Sequence, residues 1–313
     1  MAHVLLPLNL MKLAVVLNSS AGTLSALGSE DGIDRVRKAM STAGLEGDVR
    51  SVDRGDIGRA VRDAVRSKAD VVAIGGGDGT LNAAAAVLIE SGKPLGVLPL
   101  GTRNHFARDL GVPVDVEGAI AMIRDGRERR IDVGEVNGRI FLNNSSIGLY
   151  PAAVDERDEL RHRHGSSKAS AMLRSCANVL RRFPLFEAVL ETEGRAVSMR
   201  TPFVFVSNNR YEMNLFALGA RSRLDAGELG IYLTRNTNRL GLLRLAFLAM
   251  IGRMKQDRDF RYLTGGEVEV RTRRHSVRVS LDGEVIRMTS PIRYAIRPRA
   301  LAVVGPAVEA SIA

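Results

Sequence analysis

A short apolar run that ends in a glycine cluster constrains this chain more than any other sequence feature. The segment is DVVAIGGGDGTLN, residues 70–82. Its first five residues show no alternation of polar and apolar positions, which predicts a strand buried on both faces. The glycines that follow allow a tight turn and let bare backbone N–H groups approach a ligand. Thr80 is predicted to cap a helix over 81–90, and Gly92 to end it. This arrangement predicts a phosphate site.

A carboxylate inside this loop needs a physical explanation. Asp78 should repel the phosphates for which the loop is suited. The conflict disappears if a divalent metal lies between them, because Mg²⁺ is commonly held by one or two carboxylates together with substrate phosphates. Asp78 is therefore predicted to hold Mg²⁺ and to act in catalysis.

A second polar turn follows the next predicted strand, 95–98. It contains Pro99, Gly101, Thr102 and Asn104 and leads into a short helix. In a parallel sheet, the turns after neighbouring strands open on the same edge, so the two loops could face one nucleotide together.

These motifs resemble those of a known family. GGGDGTLN at 75–82 and LPLGTRNHFARDLGVP at 98–113 are similar to the catalytic domain of the diacylglycerol kinases, bacterial lipid kinases to which the sphingosine kinases are related. The first motif also resembles that of NAD kinases, whereas the second resembles that of lipid kinases only. The resemblance implies ATP as co-substrate, Mg²⁺ as cofactor and a nucleotide held in a cleft between two domains.

The candidate nucleotide-binding residues include two from the turn after the first strand, which resembles the family's N-P-x-S-G with Ser19 in place of the proline. The full set is Asn18, Gly22, Gly76, Gly77, Asp78, Gly79, Thr80, Asn82, Thr102 and Asn104.

The pattern of predicted elements changes near Arg129. Strands and helices alternate before it, which predicts an α/β domain with a doubly wound parallel sheet over residues 1–128. Short strand-like segments follow, which predict an all-β antiparallel sandwich over 129–313, with the last residues a candidate for packing back on the first domain. Asn137-Gly138 is a strong hairpin signal. The later predicted strands are 186–191, 196–199, 203–207, 229–233, 268–271, 277–281 and 285–288.

Two predicted helices interrupt the sandwich. The stretch 155–182 is strongly basic, and 240–254 is apolar over much of its circumference. A helix of the second kind could rest on a bilayer interface or cover the sandwich, and both interpretations stay open.

The resemblance also implies functional residues in the second domain. Asp282-Gly283 is by itself an ordinary hairpin pair. The family carries D-G-E at this place, which implies Glu284 as the general base and Asp282 as its catalytic neighbour. The base would accept the proton of a lipid hydroxyl as that hydroxyl attacks the γ-phosphate. The loop at 223–228 resembles one that binds a structural Mg²⁺ through an acidic pair, of which Asp225 remains and Ala226 replaces the second acid.

The leading hypothesis is thus an ATP-dependent lipid kinase acting on diacylglycerol or a related glycerolipid or sphingoid lipid. His105 and Ala83 replace acidic residues that are usual in the family, and Ala226 is the third departure. These changes keep open a noncatalytic lipid or nucleotide sensor. An NAD kinase-like enzyme is the other alternative.

Composition favours a membrane surface over nucleic acid as the partner. The 313 residues are 45% hydrophobic, enough for a sizeable core, and carry a formal charge of +10, which attracts polyanions. Aromatic residues make up only 4%, which leaves few platforms for stacking bases. The chain has a single cysteine, Cys176, shows no signal peptide pattern in its first seventeen residues, and has no long apolar run. Together with the positive charge, these features predict a cytoplasmic protein that is peripheral at the inner membrane surface.

Overall fold

The computed structural model describes residues 11–22, 29–148, 186–192, 195–211, 221, 223–234 and 260–307. The chain divides into two units, one of residues 1–131 and 300–313 and one of residues 132–299. The predicted helices at 155–182 and 240–254, and Cys176, lie outside the described residues.

In the first unit, strands alternate with helices along the chain. The strands are β1 (Lys12–Asn18), β2 (Glu46–Val52), β3 (Val71–Gly76) and β4 (Leu95–Pro99). The helices are α1 (Ser29–Thr42), α2 (Ile57–Arg66), α3 (Asp78–Ser91), α4 (His105–Asp109) and α5 (Val116–Asp125). The four strands pair in parallel in the order β2-β1-β3-β4. The predicted α/β class with a parallel sheet is confirmed.

Local sequence explains these elements. Each side chain of Val71–Ile74 in β3 is at most 4% exposed, as expected for a strand with apolar residues on both faces. In α2, the buried residues are Ile57, Ala60, Val61 and Ala64, whose spacing of three and four places them on one side of the helix.

Helix α3 begins earlier than predicted. The prediction that Thr80 caps a helix starting at Leu81 is wrong, because α3 starts at Asp78 and Gly77 is its N-cap. The carbonyl oxygen of Gly77 accepts hydrogen bonds from the N–H groups of both Thr80 (2.9 Å) and Leu81 (3.1 Å). The predicted end is confirmed, since Gly92 adopts a left-handed conformation with φ 71°.

The second unit is built of antiparallel strands. They are β5 (Arg127–Val136), β6 (Arg139–Phe141), β7 (Asn144–Gly148), β8 (Phe186–Thr192), β9 (Arg195–Thr201), β10 (Phe203–Asn208), β11 (Leu229–Thr234), β12 (Phe260–Gly265), β13 (Glu267–Thr272), β14 (Ser276–Leu281), β15 (Glu284–Thr289) and β16 (Ile292–Gly305). One sheet has the order β12-β11-β10-β7-β14-β15, and the other contains β16-β13-β8-β9 with β5 paired to β16 and β6. Side chains from both sheets share one buried cluster, which confirms the sandwich.

Two strands of the second unit extend into the first. β5 begins and β16 ends in the first unit. The N-terminal part of β16 pairs with β13, and Val303 near its other end pairs in parallel with Leu95 of β4. Strands β12 and β16 are absent from the sequence prediction.

Both predicted hairpin turns are confirmed by positive φ values at both turn residues. The values are 45° and 78° at Asn137 and Gly138, and 46° and 90° at Asp282 and Gly283. This conformation suits a two-residue turn between antiparallel strands. The second turn places Glu284 at the first position of β15.

No helix among the described residues has both the length and the apolar character that crossing a membrane requires.

The ring of Phe141 packs directly on Gly134, so a larger side chain there should destabilise the sandwich. A Cβ atom at Gly134 would lie 2.7 Å from Cε1 of Phe141, whose ring is fully buried and meets Tyr294 edge-on at 6.3 Å. We expect Gly134→Ala to lower the free energy of unfolding by about 1–3 kcal/mol through overpacking. Chemical denaturation would measure this. Gly266→Ala, whose added Cβ meets nothing closer than 4.0 Å, is the matched control, and equal losses in both variants would contradict the packing explanation.

Candidate active site

The three predicted loops of the first unit lie at the same edge of the parallel sheet. Leu17 of β1 pairs with Gly75 of β3, and Gly75 pairs with Leu98 of β4. Asn18, Gly76 and Pro99 therefore follow in register at the carboxyl ends of the three strands. This is the edge at which open α/β sheets bind ligands.

Close packing leaves little room for a side chain at Gly75 and Gly76. A Cβ at Gly75 would lie 2.9 Å from Cδ1 of Leu100, and one at Gly76 would lie 2.6 Å from Cβ of Thr80. Gly77 is the N-cap of α3, and Gly79 lies in its first turn. The loop thus presents backbone N–H groups at a helix N-terminus without side chains that would cover them.

Asn18 and Thr80 bind each other across the site. The buried amide of Asn18 donates to Oγ1 of Thr80 at 2.9 Å, and Oδ1 of Asn18 accepts from the N–H of Ser20 at 3.0 Å. Ser19, which replaces the family's proline, donates from Oγ to Asp53 at 2.6 Å. These bonds fix the turn after β1 to the start of α3. Asn82 lies one turn into α3 and is half-buried.

Asn104 closes the second loop. Its backbone is left-handed with φ 51°, and its amide donates to the carbonyl oxygens of Pro99 (3.0 Å) and Gly101 (2.8 Å). Its Oδ1 accepts from the N–H of Gly101 at 3.0 Å. The side chain therefore shapes the turn, and Thr102 at the tip of the turn is exposed.

The second loop contacts both of the others. A Cβ at Gly77 would lie 3.4 Å from Cα of Gly101, and one at Gly22 would lie 3.4 Å from Oγ1 of Thr102. The two backbones can approach this closely because Gly101 has no side chain, since a Cβ there would overlap Cα of Gly77.

Asp78 joins the glycine loop to helix α4. Its Oδ2 accepts from the N–H of His105 at 3.2 Å, and its Oδ1 accepts from the N–H of Phe106 at 3.0 Å. The carboxylate thus satisfies donors at the start of α4. His105, whose N–H binds Asp78, is half-buried.

The predicted residues of the second unit have different surroundings. Asp282 accepts three backbone hydrogen bonds, from Leu142 (2.8 Å), Asn143 (2.8 Å) and Asn144 (3.0 Å). Glu284 is exposed at the start of β15.

Asp225, the remaining acid of the structural Mg²⁺ site that the resemblance implied, has an arginine beside it. Nε of Arg223 lies 3.1 Å from its carboxylate in a surface pair, with the Arg223 side chain 66% and the Asp225 side chain 40% exposed. The N–H groups of Ala226 and Gly227 donate to Oδ1 of Asn209 (3.1 Å) and Oδ2 of Asp132 (2.6 Å). Within the part of the chain that the structure describes, no three side chains of His, Cys, Asp and Glu gather to hold a metal ion.

Sequence reasoning missed two buried polar residues of the second unit. Asp132 is 0% exposed and also accepts from the N–H of Arg299 at 2.8 Å, and Arg221 is 2% exposed. Both act through partners far away in sequence, so no local pattern marks them.

Substitution of Gly101 should disturb the first and second loops together. A Cβ there would lie 2.7 Å from Oδ1 of Asn104 and would also overlap Gly77. We expect Gly101→Ala to lower the free energy of unfolding by about 1–3 kcal/mol and to weaken ATP binding in a calorimetric titration. Gly58→Ala in α2, where the added Cβ meets only Nη1 of Arg62 at 3.6 Å, should leave both unchanged or slightly raise stability. Wild-type ATP binding by Gly101→Ala would contradict the contact between the loops.

The loop at 223–228 should be stable without a divalent metal. We expect the melting temperature of the protein to be the same in EDTA and in Mg²⁺, because the loop's backbone is held by Asp132 and Asn209. Ala226→Asp restores the family's acidic pair at an exposed position and should raise the melting temperature by roughly a few degrees in Mg²⁺ only. Ala226→Asn is the uncharged control. A fall of the wild-type melting temperature in EDTA would contradict this prediction.

Known proteins match both units. The family model described as diacylglycerol kinase catalytic domain matches residues 12–136, and the model described as YegS C-terminal NAD kinase beta sandwich-like domain matches residues 147–305. The diacylglycerol kinase of Bacillus subtilis (strain 168) is 27% identical over 239 residues, which cover 74% of this chain and 76% of that protein. A probable lipid kinase YegS-like protein of Pseudomonas aeruginosa is 40% identical over 128 residues, 39% of this chain and 42% of that protein.

Several of the curated relatives are matched over only about half of their length. A crystal structure of a diacylglycerol kinase from Bacillus anthracis strain Sterne superimposes with a TM-score of 0.69 at 20% identity, covering 95% of this chain and 98% of the other, and shares the fold. With both of its units matched by family models, the chain belongs to the diacylglycerol kinase family and carries the YegS-type sandwich as its second domain.

Proposed function

We propose that this protein transfers the γ-phosphate of ATP to a hydroxyl group of a membrane lipid, either diacylglycerol or a related glycerolipid or sphingoid lipid. One observation carries the proposal. Three loops meet at the carboxyl edge of the parallel sheet, and Asp78 lies among them at the N-terminus of α3. A glycine loop with a helix N-terminus suits phosphate, and a carboxylate suits the metal that accompanies it.

The proposed nucleotide site consists of backbone groups at Gly76, Gly77 and Gly79, with Thr102 at the exposed tip of the second loop. Asn18, Thr80 and Asn104 would act indirectly, because their side chains are bonded to each other or to the turns that they close. Gly22 would keep the first turn close to Thr102. The loops are held in place before any nucleotide arrives, which lowers the cost of ordering them.

Mg²⁺ fits this site as an ion held jointly by Asp78 and the phosphates. A carboxylate has about four lone-pair positions, and the backbone N–H groups of His105 and Phe106 occupy two of those of Asp78. When bound, the ion would neutralise charge on the phosphates. Asp78 would hold it while keeping α4 attached to the glycine loop.

Glu284 is the proposed general base. It is exposed at the start of β15, where a lipid hydroxyl can reach it. Accepting the hydroxyl proton is the main task that phosphoryl transfer leaves to a side chain, since positioning and charge neutralisation supply most of the catalysis.

The proposal includes peripheral contact with an anionic membrane surface at the inner side of a cytoplasmic membrane. The formal charge of +10 supports it.

An NAD kinase activity is the second candidate, because the family model that matches the sandwich is described as NAD kinase-like. NAD offered beside the lipids in the same assay separates the two. Label in NAD and in no lipid would replace the lipid kinase proposal, and ATP binding without any turnover would make the protein a sensor.

The first test is transfer of labelled γ-phosphate from ATP to a panel of lipids in mixed micelles with Mg²⁺. We expect Asp78→Asn to abolish transfer. The amide nitrogen cannot accept a hydrogen bond, so one of the two bonds from α4 is lost and this variant should also lose about 1 kcal/mol of stability.

Asp115→Ala is the matched control for that loss of stability. Asp115 is the N-cap of α5 and accepts from the N–H of Gly118 at 2.7 Å, away from the three loops. It should lose similar stability and keep full transfer. Full transfer by Asp78→Asn would refute the assignment of Asp78.

A further inference from the structure

A buried arginine holds the segment that precedes β7. Nη1 of Arg221 donates to the carbonyl oxygens of Leu142 (2.7 Å) and Asn208 (3.1 Å), and Nη2 donates to Oδ1 of Asn143 (3.0 Å). The guanidinium also lies 5.5 Å from the ring centre of Tyr211. Burying a guanidinium is costly unless its donors are satisfied, so its partners are fixed in place.

The same segment is held from its N–H side by Asp282. Leu142, Asn143 and Asn144 all donate backbone N–H groups to that carboxylate at 2.8–3.0 Å. The N–H of Asp282 in turn donates to the carbonyl oxygen of Asn144 at 2.9 Å. Residues 142–144 are therefore clamped between two charged side chains. The Arg221 guanidinium binds the carbonyl oxygen of Leu142 and the side-chain oxygen of Asn143, and the Asp282 carboxylate binds the backbone N–H groups of all three residues.

This clamp sets the place of the turn before Glu284. Asp282 and Gly283 are the two turn residues, and Leu281 pairs with Glu284 directly across the hairpin. A movement of residues 142–144 would move the carboxylate of Asp282 and, two residues later, the backbone of Glu284.

We propose that Arg221 is a positioning residue that holds the Glu284 hairpin through residues 142–144, and that Asp282 is the second half of this clamp. The inference rests on the proposed function, in which Glu284 is the base. Misplacement of a reacting group by about 1 Å can cost about 100-fold in rate, so a loosened hairpin should reduce turnover without touching the nucleotide.

The test compares Arg221→Met and Arg221→Lys with the wild type in two measurements. The first is kcat and the KM for ATP with the lipid that takes label. The second is backbone amide hydrogen exchange at residues 142–144 and 281–286, which does not depend on activity. We expect Arg221→Met to lower kcat about 10-fold or more with KM for ATP unchanged, and to speed exchange in both segments. Arg221→Lys keeps the charge and should recover part of both, and it carries the test if the Met variant does not fold.

Arg271→Met is the matched control, since Arg271 is an exposed arginine of the same unit whose partners are Glu191 and Glu269. It should change neither measurement. Wild-type rates of amide hydrogen exchange in the Arg221 variants would refute the proposal that Arg221 holds the hairpin, whether or not kcat changes. Glu284→Gln separates this failure from that of the proposed function: wild-type kcat in that variant would refute Glu284 as the base, and the exchange data would still decide whether Arg221 holds the hairpin.

Discussion

The approach of two glycine backbones, Gly77 and Gly101, is the constraint on which the candidate site depends. It sets the distance between the loop after β3 and the loop after β4, and the bonds from Asp78 to the start of α4 are possible only at that distance. A residue with a side chain at Gly101 would place its Cβ against the backbone of Gly77 and separate the loops. The spacing of these two loops therefore depends on the absence of a side chain at Gly101.

Two buried polar side chains of the second unit, Asp132 and Asn209, hold the loop at 223–228. Asp132 and Asn209 are both 0% exposed, and each accepts a backbone N–H from the loop at 223–228. Partners of this kind are needed because an unsatisfied buried group costs about 1–3 kcal/mol. Oxygen atoms of the protein itself therefore satisfy these two N–H groups of the loop.

Much of the fold was predictable because its signals are local. The run VVAI followed by glycines predicted β3, and Asn137-Gly138 predicted a turn that the structure confirms. The strand β16 was missed because Pro298 and the left-handed Arg299 interrupt its pattern and its two parts pair with strands of different units. The start of α3 was misplaced because its N-cap is a glycine and offers no side-chain signal.

The sequence predicted which residues form the candidate site better than it predicted what each of them does there. The glycine loop and the turn at 99–104 were found from spacing and chain order. Asn104 binds groups of its own turn, and Asn18 binds Thr80. These roles depend on hydrogen bonds between residues up to 62 apart in sequence. Arg221 carries no local mark, because two of its acceptors are backbone carbonyl oxygens, which any sequence provides, and its side-chain acceptor Asn143 is 78 residues away.

The pairing of β16 with β4 has a consequence for the order in which the chain can fold. Residues 301–304 are at most 4% exposed and belong to the first unit, while residues 132–299 lie between them and the rest of that unit in sequence. During synthesis, the edge of β4 stays open until residues 132–303 have been made. The unit that carries the glycine loop is thus completed only after the whole second unit has been synthesised.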